Sequence, residues 1–133
     1  MMVAKREEIR LYMAEAQQML QVATDTLALG HLSTAVNRSY YAVFYAASAL
    51  LQSIDEVRVK HHGVFSAFGQ YFIKSGLWAD EFSDIYKQLL SDRESADYEL
   101  LVKIPQAQVE QHLQNARHFA AEAETWLKKA GWL

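Results

Sequence analysis

The chain has 133 residues, a length that fits one domain, and its apolar fraction of 51% is sufficient for a buried core. It contains no cysteine, which excludes disulfides and thiolate metal sites, and its net charge of −3 excludes a surface that is basic throughout. Any contact with RNA or DNA must therefore come from a local patch. Residues 1–9 lack the apolar region of a signal peptide, and the longest nearly uncharged stretch, residues 39–54, is too short for a membrane span. We expect a soluble, cytoplasmic protein.

The spacing of apolar residues predicts the helices. With a single proline and five glycines, long stretches of the chain are free of helix breakers. A first helix is predicted from about residue 3 to residue 29, because apolar side chains recur every three or four positions and Gly30 follows as a helix-ending residue. A second helix is predicted to begin near Ser33 or Thr34, either of which can cap it, and to reach about Ser53.

The second helix differs from the first because apolar residues surround it almost completely. A helix of this kind either lies at the centre of a fold or turns one face towards another subunit. Tyr40, Tyr41 and Tyr45 favour an interface, since tyrosine is large, stiff and amphipathic. Both explanations are open at this point, and we expect a homodimer.

Three further helices are predicted in the second half of the chain. One covers about residues 61–74, and the next begins near residues 79–80 and either breaks or continues through residues 92–98. Pro105 is predicted in the first turn of the last helix, where its missing N–H does no harm, and Gly131 ends that helix.

The first and last helices carry matching apolar stripes that are rich in alanine. Alanine allows helices to approach closely, so both are expected to pack lengthwise beside the second helix. The sequence therefore predicts one domain over residues 1–133, an all-α fold built as an antiparallel up-and-down bundle of four to five helices.

The sequence contains neither a glycine-rich phosphate loop nor a His-Glu-x-x-His pair. His61 and His62 are adjacent, and neighbours on a helix point about 100° apart, so a role at a helix start or on the surface is simpler than metal binding. His112 and His118 are six positions apart, lie on different helix faces and are predicted to be solvated. We expect neither a metal nor a cofactor.

Residues 92–98 combine acids, an arginine and a tyrosine directly after an apolar helix. One interpretation is a helix end stabilised by local ion pairs. The other is functional: Asp97 holds Arg93 so that its guanidinium faces a phosphate, and Tyr98 stacks or donates a hydrogen bond.

Arg38 is unusual because it lies within the otherwise apolar second helix. An arginine in such a position needs a partner or a route to water. It either extends its side chain to solvent near the helix start, forms a buried ion pair with Asp97 or Glu94, or contacts a ligand.

Three segments resemble the HEPN family (higher eukaryotes and prokaryotes nucleotide-binding). Residues 37–47, Asn-Arg-Ser-Tyr-Tyr-Ala-Val-Phe-Tyr-Ala-Ala, are similar to the signature of its second helix. His61 with residues 63–64 and Phe68 resembles the start of its third helix, and residues 93–98, Arg-Glu-Ser-Ala-Asp-Tyr, resemble the element before its last helix. The resemblance spans residues 37–98, and the helix order fits across the chain.

The resemblance implies a helical bundle that forms a homodimer. It also implies a partner, since many such genes lie beside a minimal nucleotidyltransferase and form a toxin–antitoxin module with it. Active members are metal-independent ribonucleases whose arginine is followed four to six residues later by a histidine, with two copies of this motif meeting at the dimer interface. There the arginine stabilises phosphate charge, and the histidine moves a proton as the 2′-hydroxyl attacks.

This sequence departs from that motif, because the next histidine after Arg93 is His112, nineteen residues later. Asp97 and Tyr98 occupy the place of the histidine, and ordinary Asp and Tyr side chains titrate near 4 and near 10, far from neutrality.

Three functions follow from this departure. The first is a HEPN-type partner of a nucleotidyltransferase that binds RNA or nucleotide through Arg93 and Arg38. The second is a metal-independent toxin endoribonuclease that uses Arg93 with His61, Asp97 or Tyr98. The third is a dimeric adaptor without a ligand.

Overall fold

Five α-helices form the described part of the chain, residues 2–98 and 103–133, in this computed structural model. A π-helical turn, Gly69–Ile73, follows the third helix. The helices are α1 (Met2–Ala28), α2 (Leu32–Ser53), α3 (His61–Phe68), α4 (Asp80–Tyr98) and α5 (Gln106–Lys129). No strand is present in these residues, so the predicted all-α bundle is confirmed.

The centre of the fold is α2, which packs against α1, α3, α4 and α5. Small residues on its surface, chiefly alanines, are completely buried and allow the neighbouring helices to approach closely. As predicted, α1 and α5 both pack on α2, and they also contact each other. One stripe of α2 stays half-buried and carries Arg38, Tyr41, Phe44 and Tyr45. The helix is therefore central and still presents an aromatic face.

Two predicted helix boundaries are wrong. Helix α2 begins at Leu32, with His31 at the N-cap making no side-chain capping bond, so Ser33 and Thr34 lie inside the first turn. The third helix does not continue as an α-helix to residue 74, because its geometry changes to a π-helical turn after Phe68. Phe68 and Phe72 are fully buried on either side of this change.

The remaining boundaries lie close to their predicted positions. Gly30 and Gly131 adopt positive φ angles of 81° and 88°, the left-handed geometry that favours glycine after a helix. Helix α4 runs unbroken to Tyr98, and Pro105 occupies the N-cap position just before α5. Within the described ranges, no helix is long and apolar enough to cross a membrane.

Candidate functional site

Arg93 lies on the side of α4 that faces α2. The carbon at the centre of its guanidinium group is 5.1 Å from the ring centre of Tyr40 and 5.7 Å from that of Tyr41. Its Nε atom is 3.1 Å from Oδ2 of Asp97, one turn later on α4, although the contact lacks hydrogen-bond geometry. The side chain is 13% exposed. Two rings and a carboxylate therefore hold the guanidinium group.

His61 begins α3 and contacts the same rings. Its Nδ1 atom is 2.9 Å from the hydroxyl oxygen of Tyr40. The imidazole stacks on Phe44, with ring centres 4.7 Å apart, and meets Tyr41 edge to face at 5.5 Å. Tyr40 thus contacts both His61 and Arg93, which are 32 residues apart in sequence. The tertiary structure brings a histidine and an arginine to one aromatic cluster.

The surroundings of this cluster favour the neutral form of His61. Burial lowers the pKa of His61 below its usual value of 6.5, and the charges of Arg93 and His62 lower it further. The carboxylate of Glu94 acts in the opposite direction. Burial also raises the pKa of Tyr40, so its hydroxyl keeps its proton at neutral pH. His61 is consequently a neutral imidazole bonded to a protonated phenol.

Two further contacts join α4 to its neighbours at the edge of the cluster. His62 at the start of α3 lies 3.3 Å from Glu94, and both side chains are well exposed. The amide of Asn37 on α2 donates a long hydrogen bond of 3.4 Å to Asp97. Asp97 therefore contacts both Arg93 and Asn37. The local ion pair that the sequence suggested for residues 92–98 is present between Arg93 and Asp97.

Arg38 does not form an ion pair with Asp97 or Glu94, one of the three alternatives that the sequence left open for it. Within the described residues, Asp97 pairs with Arg93 and Glu94 pairs with His62. Arg38 is half-buried on the aromatic face of α2, where its charge partly offsets the rise that burial causes in the pKa of Tyr45. The ion-pair alternative for Arg38 is therefore excluded, because Asp97 and Glu94 have closer partners on α4 and α3.

The structure brings Arg93, Asp97 and His61 together, as a shared site requires. The side chain of Tyr98 lies outside the described part of the chain.

Across residues 2–98 and 103–133, no three histidine, aspartate or glutamate side chains come close enough to hold a metal ion together.

His112 is not solvated, contrary to its prediction. It is 0% exposed, and its Nε2 atom lies 2.6 Å from Oδ2 of Asp92, the residue before Arg93. A signal for this burial exists in the sequence, since His112 lies three residues after Val109 and next to Leu113 on the apolar stripe of α5. Tyr40 was also missed as a site residue, and only its position in the resembling segment could have suggested it.

The chain belongs to the HEPN family: the family of HEPN domains matches residues 9–130. It is 34% identical over 115 residues to a UPF0332 protein of Thermotoga maritima, covering 86% of this chain and 87% of that protein.

Two proteins of Methanocaldococcus jannaschii are also similar. "Putative toxin MJ0142" is 25% identical over 122 residues, covering 92% of this chain and 83% of that protein. "Putative toxin MJ0605" is 34% identical over 93 residues, covering 70% and 69%.

Proposed function

We propose that this protein is the toxin component of a toxin–antitoxin module and that its site at Arg93 binds RNA or a nucleotide through a phosphate. The main support for this proposal is the position of the Arg93 guanidinium group between two rings and a carboxylate. Asp97 pairs with Arg93 through Nε at 3.1 Å, and the hydrogen bonds among the described residues include none from the guanidinium group. Two parallel N–H groups suit two oxygens of one phosphate, and the rings of Tyr40 and Tyr41 fix the plane of the guanidinium group.

A minimal nucleotidyltransferase is the partner that the family resemblance implies. The toxin names of the two Methanocaldococcus relatives support a toxin–antitoxin module, and the nucleotidyltransferase rests on the family resemblance alone. The test is co-expression of the chain with any minimal nucleotidyltransferase encoded beside it, followed by size-exclusion chromatography. Co-elution and relief of growth inhibition are expected, whereas growth that is unaffected by the chain alone would contradict a toxin.

RNA binding is tested by the fluorescence anisotropy of a labelled single-stranded oligoribonucleotide. Arg93→Lys keeps the charge but loses the two-pronged geometry, so affinity should fall about tenfold while the fold is retained. Arg117→Lys is the matched control, because Arg117 bonds to Thr24 at 2.7 Å, between α1 and α5, away from the cluster. Equal affinity in all three proteins would remove Arg93 from the RNA site, and no binding by the wild type would favour the adaptor without a ligand.

A second binding residue is proposed at Arg38. It lies three residues before Tyr41, one turn away on the same face of α2, so its charge borders the rings on which Arg93 is seated. Arg38→Gln should weaken RNA binding less than Arg93→Lys does, since a half-buried arginine at the border contributes charge without fixed geometry. An unchanged affinity would remove Arg38 from the site.

A metal-independent ribonuclease is the second function, and the shared contacts of Arg93 and His61 with Tyr40 favour it. In this reaction the 2′-hydroxyl gives up its proton and attacks phosphorus, the bond from phosphorus to the 5′-oxygen breaks, and the 5′-oxygen takes a proton. Arg93 would stabilise the phosphate charge, and His61 would be the titratable group. RNA cleavage in the presence of EDTA that is lost in His61→Asn would support it, and intact RNA would exclude it.

Tyr98 is proposed as the residue that the partner modifies. Its hydroxyl would attack the α-phosphorus of a nucleoside triphosphate and release pyrophosphate, with the proton passing to the partner enzyme. Tyr98→Phe should remove only this modification and leave RNA affinity unchanged. Mass spectrometry after incubation with the partner and a nucleoside triphosphate measures the outcome, and a modified Tyr98→Phe protein would assign the reaction to another residue.

A homodimer is proposed as the assembly. Tyr12 and Tyr45 stack across α1 and α2 with ring centres 6.4 Å apart, and Tyr41 lies 6.0 Å from Tyr45. Aromatic side chains that are half-buried in a single chain are typical of subunit interfaces, which are enriched in tyrosine and phenylalanine.

A further inference from the structure

Tyr40 differs from the other tyrosines of α2 in being completely buried while bonded to a half-buried partner. It is 0% exposed, whereas Tyr41 and Tyr45 on the same helix are half-buried. Its hydroxyl contacts Nδ1 of His61 at 2.9 Å, and its ring face lies 5.1 Å from the guanidinium carbon of Arg93. The side chain of Tyr40 therefore contacts both the imidazole of His61 and the guanidinium group of Arg93.

The direction of the hydrogen bond follows from burial. His61 Nδ1 is the hydrogen-bond partner that the described residues provide for the Tyr40 hydroxyl. If Nδ1–H donated to Tyr40, the phenolic hydrogen would be left buried without an acceptor, which costs more than an unused lone pair on oxygen. The Tyr40 O–H therefore donates to Nδ1.

This direction decides which nitrogen of His61 carries the proton. A neutral imidazole whose Nδ1 accepts a hydrogen bond carries its hydrogen on Nε2. No described residue hydrogen bonds to Nε2 of His61, and the ring is only half-buried. His61 thus offers one N–H donor beside the N–H groups of Arg93.

We propose that Tyr40 is the positioning residue of this site: its hydroxyl fixes His61 with the proton on Nε2, and its ring seats Arg93, so that both side chains donate to one phosphate. The assignment to a phosphate rests on the proposed function, but the control of His61 by Tyr40 does not.

The arrangement favours binding over cleavage. To act as a base through Nε2, His61 would have to move its proton to Nδ1, and the Tyr40 hydroxyl would have to turn away from its acceptor within a buried site. To act as an acid from the neutral state, it would have to draw a proton from Tyr40 and leave a buried phenolate, which the raised pKa of Tyr40 opposes.

The experiment is nitrogen NMR of the full-length protein with ¹⁵N-labelled histidine, which reports the protonated ring nitrogen directly. Wild-type His61 should show the proton on Nε2, and Tyr40→Phe, which keeps the ring but removes the donor, should show a mixture of both tautomers. Tyr86→Phe is the matched control, because Tyr86 is also fully buried and contacts the Tyr40 ring at 6.3 Å, yet its hydroxyl has no hydrogen-bond partner among the described residues.

Binding of a labelled single-stranded oligouridine is measured on the same three proteins. Tyr40→Phe should bind about fivefold more weakly, the effect of one misplaced hydrogen-bond donor, and Tyr86→Phe should match the wild type. A wild-type proton on Nδ1, or an unchanged tautomer in Tyr40→Phe, would overturn the inference, and the wild-type spectrum alone can overturn it even if the variant does not fold. A tautomer change without RNA binding by the wild type would overturn the proposed function and leave the control of His61 by Tyr40 standing.

Discussion

His61 and His112 each form one short hydrogen bond to a side chain, at 2.9 Å and 2.6 Å, yet their surroundings are opposite. His112 is fully buried between α5 and α4 and lies 2.6 Å from the carboxylate of Asp92. His61 is half-buried at the start of α3, bonded to a neutral tyrosine and close to the charge of Arg93.

The difference lies in what each partner leaves available. A carboxylate paired with a buried imidazole uses both groups to join two helices. A neutral phenol adds no charge beside the imidazole of His61, whose pKa burial and the charge of Arg93 lower, and it leaves the other ring nitrogen for a ligand. Asp92 and Arg93 are consecutive in α4. Asp92 bonds to His112 of α5, and Arg93 contacts the tyrosine rings of α2.

The largest expected effect is on stability, at His112. His112→Ala removes a buried ring, leaves a cavity and takes the hydrogen-bond partner from Asp92, so the free energy of unfolding should fall by about 3 kcal/mol. Urea denaturation followed by circular dichroism measures it. His118→Ala is the control, because His118 is 52% exposed and its contact with Glu81 is long at 3.4 Å. Similar losses in both variants would remove the distinction between buried and exposed histidines.

The second prediction concerns assembly at the aromatic face. Tyr45→Glu places a charge in the predicted interface, so the mass in light scattering should fall from about twice the chain mass of 15.2 kDa to a single chain. Leu29→Glu is the control, since Leu29 is 71% exposed and directly follows the C-terminal end of α1. A wild-type protein that is already monomeric at micromolar concentration would contradict the homodimer.

The third prediction is the pH dependence of His61. Because the pKa of His61 is lowered in the folded protein, the unfolded chain binds this proton more strongly. The free energy of unfolding should therefore decrease as the pH falls below about 6.5 and level off once folded His61 is protonated. The contribution is fully present above 6.5 and is lost on the acid side of it.

Arg93→Gln removes a positive charge that opposes protonation, so it should raise the pKa of His61 in a proton NMR titration. Arg117→Gln removes a charge between α1 and α5 and should leave that pKa unchanged. An unaltered pKa in Arg93→Gln would mean that the charge of Arg93 does not influence the protonation of His61.

The smallest effect is expected at the exposed pair of His62 and Glu94. His62→Ala should change the free energy of unfolding by less than about 0.5 kcal/mol, because solvent screens a contact between side chains that are 77% and 42% exposed. It should raise the pKa of His61 by less than Arg93→Gln does, since Arg93 is the larger of the two charge effects. A larger rise in His62→Ala would reverse the relative importance of the two neighbours.

The sequence by itself determined the helices and their order. Apolar residues at intervals of three and four, with glycines at positions 30 and 131, define α1 and α5, because local geometry alone fixes which side chains share a helix face. The same reasoning reached Arg93 and Asp97 as one unit, since residues four apart on a helix are neighbours and do form an ion pair here. The spacing of apolar residues in α5 also indicated that His112 is buried, although a polar side chain is usually expected to be exposed to solvent.

Only the tertiary structure decided which side chains meet across helices. The distance between Tyr40 and His61, and that between Tyr40 and Arg93, depend on how α3 and α4 pack on α2, and no local pattern encodes that packing. The same applies to the acids of α4. Asp97 and Glu94 pair with Arg93 and His62 and not with Arg38, and Asp92 pairs with a histidine of α5. Local periodicity therefore specified each helix separately, whereas burial and the fit of aromatic rings between helices assembled the site.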